Sequence, residues 1–321
     1  MVDPRKAARE ARTTRRRAER DERNAQARAE RDGVAAYEQM FREQAEWEAE
    51  DERRAEANRA RLDVIRDEFK GESFMRLYER ARRDFAELGD IVVSWNERAS
   101  SMRFERGDEM TQVIVEVAED LPDRAGELVQ NILINLQFSL EHLAMALAVH
   151  EQGRLTAAQK TGVGFPAALK EEVWVRRRVH LLSESARADV LSLQPYAGTP
   201  EAPETHVLAL LSELAKTQRH HSELLTTSTT GTQGFSPADG VMLHVSEAHV
   251  TGQTVAGIGS AVVLEFANDV DLDNVAVLRH ATIRLDVPGL TSDGENAMLL
   301  LDHLVGWVLD RVFVLLTPHL R

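Results

Sequence analysis

Apolar residues recur every three or four positions along much of the chain, which predicts a mainly helical protein. One helix is predicted from residue 71 to residue 96, and a longer one from about residue 120 to about residue 150. The buried stripe of the first helix is predicted to comprise Phe74, Leu77, Ala81, Phe85, Leu88, Ile91 and Trp95. The buried face of the second helix is predicted to comprise Ala125, Val129, Ile132, Leu136, Leu140, Leu143 and Leu147.

Weaker apolar periodicity predicts three shorter helices further along the chain. They are placed near 168–178, 183–192 and 204–225. Leu193-Gln194-Pro195-Tyr196 should end the second of them, because proline cannot continue a helix. The stretch Ala197–Glu204 holds two prolines and a glycine and is interpreted as a linker.

Alternating apolar and polar residues predict strands in two regions. A hairpin should turn at Arg106-Gly107-Asp108-Glu109, with Val113, Val115 and Val117 on its returning strand. Further strands are predicted over Val241–Val245, Ala261–Phe266 and Val277–Val287, whereas the Thr226–Thr232 run predicts a loop. The expected fold class is α+β and mainly α: a helical core with a β-hairpin and a small C-terminal antiparallel sheet.

The last predicted helix, from residue 293 to residue 317, is the most apolar stretch. A membrane span would place Asp302, Asp310 and Arg311 at bilayer depth, at a cost of about 2.5–3.5 kcal/mol each. A core helix avoids that cost, so we expect protein to enclose this helix on most sides and no contact with a membrane. Asp302, Gly306 and Asp310 form one narrow stripe that can meet water or a polar partner. Little other polar surface is left by the apolar residues Met298, Leu299, Leu301, Leu304, Val305, Val308, Leu309, Val312, Phe313 and Leu316.

Charge separates the N-terminal part of the chain from the rest. Residues 1–60 are dense in arginine and glutamate with interrupted heptad spacing, and they predict a long charged helical arm. This arm could be a solvated helix, a weak coiled coil that binds a partner or a second copy, or, through its basic first twenty residues, a nucleic-acid contact. Residues 61–321 are expected to form one domain, with a helical part (61–225) and a strand-plus-helix part (240–321).

Composition excludes several kinds of site. The chain has no cysteine, which removes disulfides, thiolate metal sites and cysteine nucleophiles. Its net charge of −14 disfavours nucleic-acid binding over the surface as a whole. The N-terminus lacks an apolar segment of the secretory type, so a cytoplasmic protein is expected.

A polar stripe runs beside the apolar face of the second long helix. Asn131, Asn135, Ser139 and His142 fall within about 80° of one another, whereas Glu141 points away from both faces. The stripe could line a polar pocket or could cap neighbouring loops by hydrogen bonding.

A second candidate site is Gln218-Arg219-His220-His221, near the end of a predicted helix. His220 could act as a general base, and Arg219 with His221 could bind phosphate. The alternative is that these cations complement the helix dipole.

Metal and cofactor sites are not predicted. Asp269–Asn274 begins like a calcium loop, but Asn274 stands where glycine is needed and His280 where glutamate is needed. His244, Glu247 and His249 lack a nearby third histidine. The chain also lacks the phosphate-binding, nucleophile-elbow and zinc-protease motifs.

The sequence Asn135-Leu136-Gln137-Phe138-Ser139-Leu140-Glu141-His142-Leu143-Ala144 resembles the "HNLRSALDHLAYALA" helix of an uncharacterised protein family of high-GC bacteria and their phages. In that family the helix is followed by "FP", "LQPY" and "DKHR" elements. Here Phe165-Pro166, Leu193-Gln194-Pro195-Tyr196 and Gln218-Arg219-His220-His221 follow in the same order. The chain departs from the pattern at Ile134, Gln137, Glu141, Gln218 and His221. The resemblance covers roughly residues 62–320 and implies an architecture but no activity.

Such a helical core is also loosely similar to HEPN domains, among which are many ribonuclease toxins. HEPN nucleases carry Arg-x4–6-His on one helix, and the nearest spacing here is Arg176-x3-His180. We therefore expect a non-enzymatic protein that acts through a protein partner or self-association. One alternative is a HEPN-like nucleic-acid-processing protein of a toxin or phage-defence type, and another is a phage structural component. For an enzyme, the candidate catalytic residues would be Asn135, Glu141, His142 and His220.

Overall fold

The computed structural model describes residues 59–220, 225–237, 248–250, 258–267, 275–285 and 297–321. The predicted N-terminal arm lies outside the described residues except for its last two positions. The predicted strand Val241–Val245 lies entirely outside them. The chain divides between Asp63 and Val64 into two units. All the elements that follow belong to the second unit, apart from the helical residues 59–63.

The protein is mainly helical with a small antiparallel sheet that includes a hairpin, as the sequence predicts. Two of the shorter helices begin later than predicted, since 168–178 begins only at Val173 and 204–225 only at Val207, while residues 221–224 lie outside the described residues. The helices are α1 (59–69), α2 (Ser73–Ala99), α3 (Asp123–Gln152), α4 (Ala157–Gly162), α5 (Val173–Arg178), α6 (Glu184–Ser192), α7 (Pro195–Gly198), α8 (Val207–His220), α9 (Ala297–Trp307) and α10 (Val314–Leu316). The turns Pro203–Thr205 and Thr317–Leu320 are 3₁₀ helices, and Val308–Phe313 is a π-helical turn.

Helix α3 lies at the centre of the packing. All seven residues of its predicted apolar face are buried, and Leu128, Leu133, Ala144 and Ala148 extend that face. By length and composition, α3 is apolar enough to cross a membrane. However, 56% of its apolar 18-residue window is buried inside the protein, as in a core helix. It ends at Gly153, whose φ of 74° is readily adopted by glycine.

Helix α2 packs along α3, and the face that it buries is slightly rotated from the predicted stripe. Four residues of its predicted stripe are fully buried, but Leu77, Phe85 and Ile91 are only half-buried. Met75, Tyr78 and Val92 take their place in the core. At the end of the helix, the indole N–H of Trp95 donates a hydrogen bond to the Glu119 carbonyl oxygen at 3.0 Å.

The hairpin forms as predicted and gains partners from the C-terminal part of the chain. Its turn closes where the Gly107 N–H donates to the Met110 carbonyl oxygen at 2.9 Å. The order in the sheet is β1-β2-β5-β4, with all neighbours antiparallel. The strands are β1 (Ser100–Arg106), β2 (Met110–Val117), β4 (Ala248–Val250) and β5 (Gly259–Ala267).

The prediction of a loop over Thr226–Thr232 is wrong. These residues belong to strand β3 (Leu225–Pro237), which pairs with β6 (Val275–Leu285) in a separate two-stranded sheet. Threonine is β-branched and favours extended backbone, and a partner strand more than forty residues away satisfies its backbone groups. The C-terminal strands therefore do not form one sheet of their own, because β5 joins the hairpin and β6 joins β3.

The last helix is enclosed by protein on most sides, as predicted. Phe313 contacts Phe74 and Tyr78 edge to face, with ring centroids 5.3 Å apart in each pair. The π-helical turn places Val308, Leu309, Val312 and Phe313 all in the core. The side chain of Leu299 is 65% exposed, because it lies on the same side of α9 as the exposed Asp302.

Helix α9 offers a matched pair of leucines that tests where stability resides. Leu304→Ala should lower the free energy of unfolding by about 2–5 kcal/mol, because Leu304 is fully buried. Leu299→Ala removes the same atoms from an exposed site and should change it by less than about 0.5 kcal/mol. Urea denaturation of the two variants measures the difference, and equal losses would contradict this packing.

Candidate functional site

The polar stripe of α3 does not gather around one point. Asn131 is exposed, whereas Asn135 and Ser139 are buried. The Ser139 hydroxyl donates to the Leu136 carbonyl oxygen at 2.7 Å, within its own helix. His142 is exposed, and its Nδ1 lies 2.9 Å from the Ser73 hydroxyl in the first turn of α2. These side chains serve separate local contacts along α3.

Glu141 is the polar residue of α3 with the most partners in the described part of the chain. Its carboxylate lies 3.1 Å from Arg178 Nη2 and accepts the Phe165 backbone N–H at 3.0 Å. Gln137, one turn earlier, donates its side-chain N–H at 3.4 Å. A single half-buried carboxylate therefore joins α3 to the segment at Phe165-Pro166 and to the end of α5.

Gly164 allows this close approach. Its N–H donates to the Arg178 carbonyl oxygen at 3.2 Å, so the two backbones run side by side. A Cβ atom at this position would overlap the Arg178 guanidinium and press on the Glu141 carboxylate. A larger residue here would therefore have to displace the Arg178 and Glu141 side chains from their ion pair.

Gln194 secures the other end of the same segment. Its side chain is fully buried, with Oε1 accepting the Ala168 N–H at 3.2 Å and Nε2 donating to the Val190 carbonyl oxygen at 3.0 Å. The Tyr196 N–H donates to the Ala168 carbonyl oxygen at 3.4 Å. We call these contacts the junction; it comprises Glu141, Gly164, Phe165, Ala168, Arg178, Gln194 and Tyr196. Residues from three of the four short elements that carry the family resemblance take part in the junction: Glu141 binds the Phe165 N–H directly, whereas Gln194 and Tyr196 bind Ala168, two residues after Pro166.

A serine–histidine–aspartate arrangement near the C-terminus was not anticipated from the sequence. His319 Nε2 lies 2.7 Å from Asp189 Oδ2, and its Nδ1 lies 3.4 Å from the Ser185 hydroxyl. Hydrolases use the same three groups for nucleophilic catalysis. Here Ser185 and Asp189 lie one turn apart on α6. The imidazole ring of His319 therefore connects the 3₁₀ turn Thr317–Leu320 to that helix. Spacing could place Ser185 and Asp189 on one face, but nothing local in the sequence points to His319.

His206 is a half-buried histidine at the start of α8. Its Nδ1 accepts the Leu208 N–H at 3.2 Å, and its ring meets Trp307 of α9 edge to face at 5.5 Å. Burial lowers the pKa of His206 below its ordinary value of 6.5. The neutral ring is the form that can accept this hydrogen bond.

A groove between α5 and α6 concentrates positive charge, and we call it the basic groove. Arg176 is paired with Glu171, and the His180 ring Nδ1 contacts the Arg177 carbonyl oxygen. In the sequence, Arg176 and His180 were considered only for their spacing. The run of three arginines in α5 is the sequence feature that could have indicated a basic surface. The groove is lined by Val173, Arg176, Arg177, His180, Arg187 and Leu191.

Large apolar side chains are exposed on the segment that leads into α5 and on its first turn, and one of them, Val173, lines this groove. Leu169 is 46% exposed, Val173 70% and Trp174 44%. They fall within six consecutive residues, so the exposed apolar area is local. Monomeric proteins seldom expose such clusters without a function.

Several site residues proposed from the sequence fall outside the described part of the chain. These are His221 and the side chains of Gln218, Arg219 and His220, so the proposed base and phosphate contacts there stay predictions. The same holds for Asp269–Asn274 and the His244 region. Among the residues that the structure does describe, no three His, Asp or Glu side chains come close enough to hold a metal ion.

Comparison of the chain with protein-family models, with curated proteins and with solved structures finds no match. The function must therefore be argued from the geometry alone.

The junction can be tested by removing its central carboxylate. Glu141→Ala leaves the Phe165 N–H and the Arg178 guanidinium without their acceptor and should lower the free energy of unfolding by about 1–3 kcal/mol. Glu141→Gln keeps an acceptor for the N–H and should cost less. Glu151→Ala, at an exposed position on the same helix, is the control. Equal stability of all three variants in urea denaturation would rule out the structural role.

His206 predicts a pH dependence of stability. Because its pKa is lowered in the folded state, the unfolded chain binds the proton more readily, so this stabilisation is complete above about pH 6.5 and declines as the pH falls below it. Melting temperatures at pH 7.5 and pH 5.5 should therefore differ less in His206→Asn than in the wild type, since asparagine caps a helix without titrating. His303→Asn, at an exposed position on α9, should retain the wild-type difference; a His206→Asn difference equal to that of the wild type would contradict the assignment.

Proposed function

We propose that this protein is a cytoplasmic scaffold that acts through protein contacts, with the basic groove and its apolar rim as the docking surface. The observation that carries the proposal is that Val173, 70% exposed, lines the groove together with Arg177 and Arg187, with exposed Leu169 and Trp174 close to it in the chain. Tryptophan and arginine are the residues most enriched in the energetic centres of protein interfaces.

The charge of the groove favours an acidic partner. The chain as a whole has a net charge of −14, yet three arginines and a histidine line this groove without a carboxylate among them. Glu171 partly neutralises Arg176, which leaves Arg177 and Arg187 as the main sources of positive charge. An acidic surface with an apolar residue at its centre would match both features.

The chemistry of the described candidates supports a non-catalytic role. Glu141 is committed to Arg178 and to the Phe165 N–H, and His319 is committed to Asp189. A general base must reach a substrate, and these groups are occupied by contacts within the fold. We propose likewise that the chain belongs with the family whose helix it resembles; the contact between Glu141 of that helix and the Phe165 N–H of the Phe165-Pro166 element supports this.

The second candidate function is nucleic-acid processing of the HEPN-like kind, and the basic groove is also the feature that favours it. Guanidinium groups bind phosphates, and exposed Trp174 could stack on a base. With Nδ1 directed at the Arg177 carbonyl oxygen, His180 would present Nε2 to a ligand. The two functions differ in the partner that they place on the same surface.

Site-specific photo-crosslinking in the native cell separates these functions. A photoreactive phenylalanine at position 174 should give adducts with protein that survive ribonuclease and deoxyribonuclease, because position 174 would lie in the interface. The same residue at Val149, which is 40% exposed on α3, is the control. Adding Arg177→Ala and Arg187→Ala should abolish the adducts. Adducts that nuclease removes would favour the second function, and no adduct at position 174 would contradict both.

A further inference from the structure

Helix α2 carries a surface whose character is the inverse of the basic groove. Asp90, Val93 and Glu97 are spaced by three and four residues, so they lie within about 60° of one another on one side of the helix. All three are exposed, and Val93 is 59% exposed. An apolar side chain is thus held at the surface between two carboxylates.

The loop that leads into α3 extends this negative charge. The hydrogen bond from the Trp95 indole to the Glu119 carbonyl oxygen holds the loop against the end of α2. Asp120 and Asp123, on either side of Leu121-Pro122, are both exposed. We call this surface the acidic face; it comprises Asp90, Val93, Glu97, Asp120 and Asp123.

A shallow groove lies at the edge of the acidic face, beside Asp90. It is lined by Glu87, Asp90, Ile91, Ser94, Arg98 and Pro122, so α2 and the loop share it. The nearby cations are already engaged within the described structure. Arg124 is paired with Glu87 at 2.9 Å and with Glu127 at 3.0 Å, and Arg98 donates to the Ser94 hydroxyl at 2.9 Å. The four carboxylates of the acidic face therefore outweigh the charge of Arg98, and the surface stays negative.

The acidic face and the basic groove match in charge and in apolar content. On α2 an exposed valine lies among carboxylates, and on α5 an exposed valine lies among guanidinium groups. Docking them would bury Val93 and Val173 together and would bring carboxylates towards Arg177 and Arg187. Apolar burial would supply affinity, and the charges would set partner choice and orientation.

We propose that the acidic face of one copy of this chain docks into the basic groove of a second copy. This inference rests on the proposed function and names its partner. The two surfaces are different patches, so the contact is heterologous. When two copies have docked, one copy still has a free basic groove and the other still has a free acidic face. Assembly therefore continues to a ring or to an open filament.

The net charge sets the conditions for this assembly. Copies that each carry −14 repel one another at low ionic strength. Salt of about 0.15 M shortens the screening length to about 8 Å, which weakens this long-range repulsion more than it weakens ion pairs in contact. Association should therefore be strongest at moderate salt and weaker both at low salt and at high salt.

Sedimentation velocity of the full-length protein tests the inference. The weight-average mass should rise with concentration between about 1 and about 100 µM, the range expected for a small, partly polar interface. The groove variant (Arg177→Ala with Arg187→Ala) should stay monomeric because it loses the cations that bind the acidic face. The face variant (Asp90→Lys with Glu97→Lys) should also stay monomeric, because its lysines repel the arginines of the groove.

Two control variants make the same charge changes at exposed positions elsewhere. Arg154→Ala with Lys160→Ala matches the groove variant, and Glu151→Lys with Glu201→Lys matches the face variant. Both controls should assemble like the wild type. Loss of assembly in a control to the same extent as in its matched variant would show that net charge, and not this contact, governs association.

Mixing the two monomeric variants gives the decisive result. The groove variant retains an acidic face and the face variant retains a groove, so the mixture should form a one-to-one dimer and nothing larger. Thermal melting of each variant confirms that it is folded. Two folded variants that stay monomeric when mixed would overturn the inference.

Other outcomes overturn the inference in distinguishable ways. A wild-type chain that stays monomeric, or one whose assembly survives either double substitution, excludes docking of the acidic face in the groove. In that case protein adducts at position 174 would still support the proposed function with a different partner. Binding of a single-stranded RNA 20-mer that the groove substitutions abolish, with the chain monomeric, would instead favour nucleic-acid processing.

Discussion

The fold depends on the need to enclose helix α3. Its buried residues occupy more of its circumference than one neighbouring helix could cover, because Leu128 and Leu133 widen the face that begins at Ala125. Helices α2 and α8 and the C-terminal 3₁₀ turn pack on it from different sides. Once α3 is surrounded in this way, its few polar side chains must find partners in the covering segments, and the pairing of Glu141 with Arg178 and the Phe165 N–H is one result.

The sequence predicted those features that depend on neighbouring residues. The apolar face of α3 follows from a helical period, and the hairpin at Gly107 follows from alternation and a turn. Features that depend on residues far apart in the sequence were either missed or predicted wrongly. Nothing near Thr226 shows that β6 will pair with it, and nothing near His319 points to Asp189, 130 residues earlier. The exposure of Leu299, by contrast, is a local feature, because helical spacing places it on the side of α9 that Asp302 marks as exposed.

The candidate sites divide into groups that the fold uses and groups that it leaves at the surface. Glu141 and His142 were candidates for chemistry from the sequence, yet Glu141 accepts the Phe165 N–H and His142 contacts the Ser73 hydroxyl within the described structure. Trp174 and Arg177 could not be recognised as a binding surface from the sequence, because mixed apolar and basic residues are equally typical of a short solvent-exposed helix. Their interest comes from exposure and from the arginine that α6 places opposite them, which only the tertiary structure supplies.

The pairing of β2 with β5 has a consequence for synthesis on the ribosome. Gln112 and Glu265 face each other across these strands although 153 residues separate them. The hairpin is therefore translated long before its third strand emerges, and the apolar edge of β2 waits without its partner for much of that time. Folding of the nascent chain must keep this edge from pairing with another chain. A chaperone or a pause in translation that protects β2 during this interval would therefore be expected to raise the yield of folded protein.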